Sequence, residues 1–322
     1  MHTKHLHTNQ TDTHYQQVMI AYLLLFLLGF IWGIQFLVTE IALKTLPAMT
    51  TATLRTIAGA FAICVLSAIF SKSVKSTVVQ KQSMWYKYII ISIFDAVIPF
   101  YLMTLGQQHV NSGIASIVVS TGPIFVLFLS GLFLSGKHWN LSMVASVLIG
   151  FCGIVILVLP GSHDNSSIAG ELSLLGASLS FAIAVILLKK LPVNNQIRSI
   201  RNILVSASII MILPTCIIDK PWTLTYNSSA ILSVCFLGMI CSGLAYLIYL
   251  RLVHMVSPTF ASLCGYLIPV VGVILGITFE QEIIHIHELV ALIMVFASLF
   301  ISQIPQIIYR KVSRLPIAKT LN

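Results

Sequence analysis

The chain alternates long apolar runs with short polar gaps. A membrane-spanning helix needs about 20 predominantly apolar residues. Ten stretches approach that length: residues 18–43, 49–70, 86–106, 111–135, 141–160, 170–188, 202–218, 229–250, 258–279 and 289–308. Two are interrupted, 86–106 by Asp95 and Pro99, and 202–218 by Pro214. The pattern predicts an all-α integral membrane protein with ten transmembrane helices. Composition agrees. Of the 322 residues 57% are hydrophobic and 8% charged, whereas a water-soluble domain carries about 25% charged residues.

The polar gaps test the helix count. Lys and Arg accumulate in cytoplasmic loops. With the N-terminus inside, the inner segments hold Lys4, Lys72, Lys75, Lys81, Lys87, Lys137, Lys189, Lys190, Arg198, Arg201, Arg251, Arg310, Lys311, Arg314 and Lys319, which is 15 of the 18 basic residues. Lys44 and Lys220 fall outside, and Arg55 lies within a span. The outer side collects Glu40, Asp164, Glu171, Asp219, Glu280, Glu282 and Glu288. A wrong count would scramble this alternation. The +9 net charge is therefore a topology signal, and no nucleic-acid partner is expected. Both termini are expected in the cytoplasm of a cell with an inner membrane.

The second half repeats the first. At a spacing of 145, Tyr101, Leu102, Leu105 and His109 meet Tyr246, Leu247, Leu250 and His254, and LKTLP (43–47) meets LKKLP (188–192). At 146, Ala115, Ser116 and Pro123 meet Ala261, Ser262 and Pro269. Each copy holds five spans, an odd number, so the second must enter the membrane upside down. Inverted repeats are a construction of secondary transporters, with the substrate site near the midplane between the halves. The division expected is a cytoplasmic tail (1–17), two five-helix repeats (18–160 and 170–308) and a basic cytoplasmic tail (309–322).

Here the sequence resembles the EamA-like members of the drug/metabolite transporter superfamily, over nearly the whole chain. The matching pieces are Trp32-Gly33, Leu46-Pro47, Thr53-Leu54-Arg55, the serine-rich stretch ending in Pro123, Ala261-Ser262 to Pro269, and Glu282 before the last span. Where the family pattern has Gly-Glu at the ends of the fourth and ninth spans, this chain has Gly136-Lys137 in the first case, and Glu280 and Glu282 without the glycine in the second. The resemblance implies ten helices in two repeats and transport of small metabolites, often amino acids or related compounds.

Asp95 is the one acid placed well inside a span. An intramembrane acid is costly, so it commonly faces a cavity, carries protons or contacts substrate. Asp95 is the candidate coupling or amine-binding group, with protons as the coupling ion. The alternative is a carboxylate in a wet inner vestibule, or one that is neutral and hydrogen-bonded to a neighbouring helix. Pro99, four residues on, clashes with the Asp95 carbonyl and should open the helix. Arg55 is expected to form a structural pair with Glu40 at the outer end of the first span, in preference to binding an anion. Entering from the opposite side, it is not expected to pair with Asp95.

Trp32, Gln35 and Phe36 lie near the middle of the first span, and Phe181 sits beside Ser180, the counterpart of Gln35. Tyr101, Ser120, Thr121, Ser242, Tyr246, Tyr249, Ser262 and Tyr266 add hydroxyls and aromatic faces. As a set they are candidates to line a substrate cavity, where rings hold an ammonium or a planar group. Taken singly, each is better read as a helix-packing group. Pro123 and Pro269, in matching helices, are candidate hinges with Pro99. Gly29 and Gly33, like Gly272 and Gly276, permit close helix approach within a monomer or in a homodimer.

The six cysteines lie in or at the edges of apolar runs without a C-x-x-C pair, so neither a disulfide framework nor a metal site is expected. His2, His5, His7 and His14 belong to a tail expected to be disordered. No cofactor is expected. The function expected is a secondary active transporter of a small metabolite, an amino acid or related compound, working by alternating access. Uptake of S-adenosylmethionine or a similar nucleoside-like metabolite is the alternative carrier. A membrane scaffold or receptor is the non-transporting one. An enzyme would need a nucleophile–base pair or a second intramembrane acid, and the sequence offers neither.

Overall fold

The computed structural model describes residues 3–70, 85–133, 141–158, 167–189, 196–256, 258–261 and 263–313. Among them every regular element is helical. In chain order these are α1 (Thr3–Leu43), α2 (Ala48–Phe70), α3 (Trp85–Ser92), α4 (Ile98–Gln107), α5 (Ser112–Val119), α6 (Gly122–Phe133), α7 (Leu141–Val158), α8 (Ile168–Lys189), α9 (Gln196–Ile218), α10 (Ser228–Phe236), α11 (Ala245–Met255), α12 (Pro258–Ala261), α13 (Cys264–Phe279) and α14 (Ile286–Ser313). A wider π-helical turn, π1 (Ile93–Val97), joins α3 to α4, and a second, π2 (Leu237–Leu244), joins α10 to α11.

Seven helical segments among the described residues are long and apolar enough to cross a membrane: Gln16–Leu43, Ala48–Ile69, Trp85–Gln107, Ser112–Phe133, Ile168–Leu188, Ile197–Ile218 and Ser228–Leu252. Three shorter apolar helices, Leu141–Ile156, Cys264–Phe279 and Ile286–Ile301, stand where the remaining three spans were expected. α14 itself runs for 28 residues, Ile286–Ser313, whereas the 16 residues of α13 rise about 24 Å, short of the ~30 Å hydrocarbon layer, because the helix is interrupted at Leu263 before α13 begins.

The amino-terminal segment departs from expectation. α1 begins at Thr3, so much of the presumed disordered tail is helical. Its first glycine is Gly29 and it contains no proline. Once a helix is nucleated, extending it adds one hydrogen bond per residue ordered.

Bulky apolar side chains point outward as well as inward. Phe61, Leu213, Leu232 and Ile293 are all more than half exposed, as suits a surface whose solvent is lipid. The interior is divided. One cluster joins α1, α4, α5, α8 and α14 around Phe36, Met103, Ile117 and Leu174. Another joins α1 to π2, α11 and α13 through Leu28, Leu237 and Cys264. A third joins α2, π1, α4 and α9 through Ile63, Ala96, Phe100 and Met211. Both glycine pairs serve packing inside the monomer. Gly29 and Gly33 face Leu267 and Val271 of α13, Gly272 faces Ser116, and Gly276 faces Glu282.

Several of the acids expected on one side stand at helix N-termini, where unpaired N–H groups and the helix dipole favour negative charge. Asp219 accepts hydrogen bonds from Thr50 N–H and Thr50 Oγ1, both at 2.7 Å, at the start of α2. Glu171 and Glu288 lie in the first turns of α8 and α14. Glu282 caps α5 from a distant loop: Gly113 N–H donates to Oε2 at 2.9 Å and Ser112 Oγ to Oε1 at 2.7 Å. Glu40 accepts from Ser112 N–H at 3.1 Å. Lys44 bridges to Glu280 at 2.9 Å, completing this charged end.

Candidate functional site

The two π turns bring the polar side chains together. Pro99 lacks an N–H, and its ring clashes with the carbonyl four residues back. The helix widens just there, and Ile98 N–H reaches back five residues to the Ile93 carbonyl. Ser180 Oγ of α8 donates to the Phe94 carbonyl at 2.9 Å. Shifting 93–97 by the repeat spacing of 145 gives 238–242, which lies inside π2. In π2, the Cys241 carbonyl accepts from Trp32 Nε1 at 3.1 Å. Insertions of this kind are frequent at functional sites.

Arg55 sits at the centre. It is 3% exposed. Its Nη2 donates to Gln35 Oε1 at 2.7 Å and its Nε to Ser242 Oγ at 3.1 Å. The guanidinium carbon lies 4.2 Å from the centroid of the Phe100 ring. The expected Arg55–Glu40 pair is therefore corrected. Arg55 turns inward to neutral partners, while Glu40, more than a helical turn away on α1, faces the α5 terminus. As expected, Arg55 and Asp95 form no ion pair among the described residues.

Asp95 is half-buried on π1 and takes no hydrogen bond from any described residue. Beside Phe100, which lies against Arg55, further aromatic rings pack in pairs. Trp32 packs edge-on to Tyr246 at 6.2 Å and tilted against Tyr249 at 5.9 Å. Phe100 packs edge-on to Phe181 at 6.1 Å. Tyr101 flanks the same cluster as Phe100 and Phe181.

Other expected site residues lie elsewhere. Phe36 has no exposed surface and belongs to the core cluster with Met103, Ile117 and Leu174, so its place among the cavity residues is corrected. Ser120 and Thr121 are buried, and their hydroxyls donate back to the Ile117 and Val118 carbonyls at 2.6 Å. They close the break between α5 and α6, with Pro123 just beyond. Tyr266 packs against Phe296 at 5.7 Å. Pro269 lies inside the unbroken α13, and the discontinuity in that segment comes one to two turns earlier. Ser262 falls outside the described residues.

Three contributors escaped sequence reasoning: Phe100 beneath Arg55, Asp219 capping α2, and Glu282 capping α5. Glu282 carried a signal in its position before the last span. Phe100 carried none beyond lying next to Tyr101.

The comparisons with known proteins bear on this helical architecture. Residues 19–159 and 168–303 match the EamA-like transporter family, and the chain belongs to that family. It is 28% identical to an "uncharacterized transporter" of Buchnera aphidicola from Schizaphis graminum over 301 residues, covering 92% of this chain and 98% of that protein. It is 28% identical over 292 residues to the Escherichia coli K12 "uncharacterized inner membrane transporter YedA", covering 89% and 92%. Protein PagO of Salmonella typhimurium is 25% identical over 283 residues, covering 87% and 91%. One crystal structure superposes with a TM-score of 0.62 at 15% identity, covering 89% of this chain and 97% of the other. That likeness concerns the fold. The protein is thus a multi-pass membrane protein of a transporter family.

Proposed function

We propose that this protein is a secondary active transporter, and not an enzyme, which moves a small polar metabolite, an amino acid or related compound, across the inner membrane by alternating access. Its ten apolar helical segments form two inverted five-helix repeats, with both termini cytoplasmic. The observation that carries this reading is the pair of π turns at repeat-equivalent positions, with Asp95 on one and Ser242 on the other, around a common group of Arg55, Gln35, Trp32 and Tyr246. Such distortions in corresponding helices mark the central site of a transporter.

In this reading Asp95 carries the coupling proton, and the rings of Trp32, Tyr246 and Tyr249 contact the substrate. The contacts of Glu40, Glu280 and Glu282 at the far end hold the outer side closed. The test is solute counterflow in proteoliposomes with labelled amino acids, polyamines, nucleosides and S-adenosylmethionine. Counterflow needs a working carrier and no energy source. Exchange of at least one amino acid above protein-free vesicles is expected; monodisperse protein that exchanges none of the panel would overturn the reading.

A further inference from the structure

We propose that Arg55 is the subsite for a substrate carboxylate, so that this carrier selects compounds bearing a free carboxylate over the corresponding amides and amines. The inference deepens the transport reading and rests on it for the word substrate.

A guanidinium carries five N–H donors in a planar fork. In Arg55 the Nε donor goes to Ser242 and an Nη2 donor to Gln35. Nη1 makes no hydrogen bond to any described residue. Phe100 covers one face of the plane, so the free part of the fork is its edge. Both acceptors are neutral, and no carboxylate pairs with the group among the described residues. A buried charge of this kind is costly unless it is paired.

The chain had a carboxylate available for a purely structural pair. Glu40 lies on α1, the same helix as Gln35, and goes instead to Ser112 N–H at 3.1 Å. Gln35 and Ser242 hold the fork in place without neutralising it. A planar, preorganised fork with free donors matches a carboxylate, which it can grip with two parallel hydrogen bonds. Tyr246 follows π2 in the chain and packs edge-on to Trp32 at 6.2 Å. Asp95 likewise takes no hydrogen bond from a described residue. Arg55 and Asp95, neither with an ionic partner among the described residues, suit the carboxylate and the ammonium of an amino acid.

Binding separates this proposal from transport. Purified protein in detergent is titrated with labelled L-phenylalanine, L-leucine and L-lysine. The matching carboxamides, the amines lacking the carboxyl group, and adenosine serve as competitors. At least one acid should bind 10-fold or more tighter than its amide and its amine, with adenosine not competing. Arg55→Gln should erase that difference, weakening the acid to the level of the amide. Arg55→Lys, which keeps the charge and loses the fork, should retain part of it. An acid bound by wild type no better than its amide overturns the proposal, as does an acid preference that survives in monodisperse Arg55→Gln. Failure to bind any of the acids overturns it too. The wild-type comparison needs no variant to fold. Carboxylate-selective, Arg55-dependent binding without counterflow would sustain the subsite and remove the transport reading. Counterflow of an amine as fast as of its acid would do the reverse.

Discussion

Arg55 on α2 donates through Nη2 to Gln35 Oε1 on α1 at 2.7 Å. The contact joins two helices by a charge-assisted hydrogen bond in the protein interior, and it leaves the charge in being. Exchanging Gln35 for Glu turns it into an ion pair of nearly the same shape. Gln35→Glu should keep the melting temperature at or above wild type, because the charge gains a counter-ion. It should also lower binding of carboxylate-bearing probes 10-fold or more, because the guanidinium is then satisfied. Gln35→Leu should instead destabilise by about 1.5–3 kcal/mol, the range for a hydrogen bond to a charged group. Thermal melts and probe titrations of the two variants, side by side, check this.

Asp95→Asn keeps the shape of the side chain and removes its charge. If Asp95 carries the coupling proton, the variant should still exchange substrate in counterflow. It should lose at least 10-fold of the accumulation driven by an imposed proton gradient. Equal accumulation by wild type and variant would reassign the coupling group.

Gly238 in π2 lies against α2. A Cβ there would meet Ala58 Cβ and the Arg55 carbonyl. Gly238→Ala should force α2 and π2 apart, costing about 1–3 kcal/mol as overpacking does, and shift Arg55 with its helix. Gly265 has open space where its Cβ would stand. Gly265→Ala should fall within about 1 kcal/mol of wild type and tend to stabilise, since alanine suits a helix better. Melting temperatures in detergent separate the two.

Glu282 lies in the loop between α13 and α14, and burial raises its carboxyl above the ordinary value of 4.5. Hydrogen bonds from Ser112 and Gly113 oppose the rise, while Glu280 adds to it. A carboxyl with a raised folded pKa contributes stability that is fully present below its unfolded pKa. That contribution is lost as pH rises through the folded value. Melting temperature should therefore decline from about pH 4.5 upward. Glu282→Gln, which does not titrate, should flatten that part of the profile. A series of melts from acid to neutral pH, wild type against variant, is the check.

Partition into the membrane was legible in the chain itself. Apolar run length and the scarcity of charge are local properties, and a backbone that must satisfy its own hydrogen bonds in lipid has few forms available. The opening at π1 was legible for a similar reason, because the clash of Pro99 with the Asp95 carbonyl is set within four residues. Asp95, Trp32 and Tyr246 stood out as polar or amphipathic groups in apolar runs. π2 was not foreseen, since no proline marks it; only the structure shows that it falls at the repeat spacing from π1.

The partners of Arg55 were decided only in three dimensions. Gln35 and Glu40 share a helix, but five residues on a 3.6-residue turn point them in different directions and over a turn apart in height. Which of them meets Arg55 depends on how α1 is rotated against α2. Ser242 arrives from 187 residues away, by a packing of helices that hydropathy leaves open. The same holds for Glu282 at the start of α5. Hydrophobic patterning determines which segments enter the membrane, since each residue contributes to partition independently. Contacts between helix faces determine where the few buried charges find partners, and those depend on every helix at once.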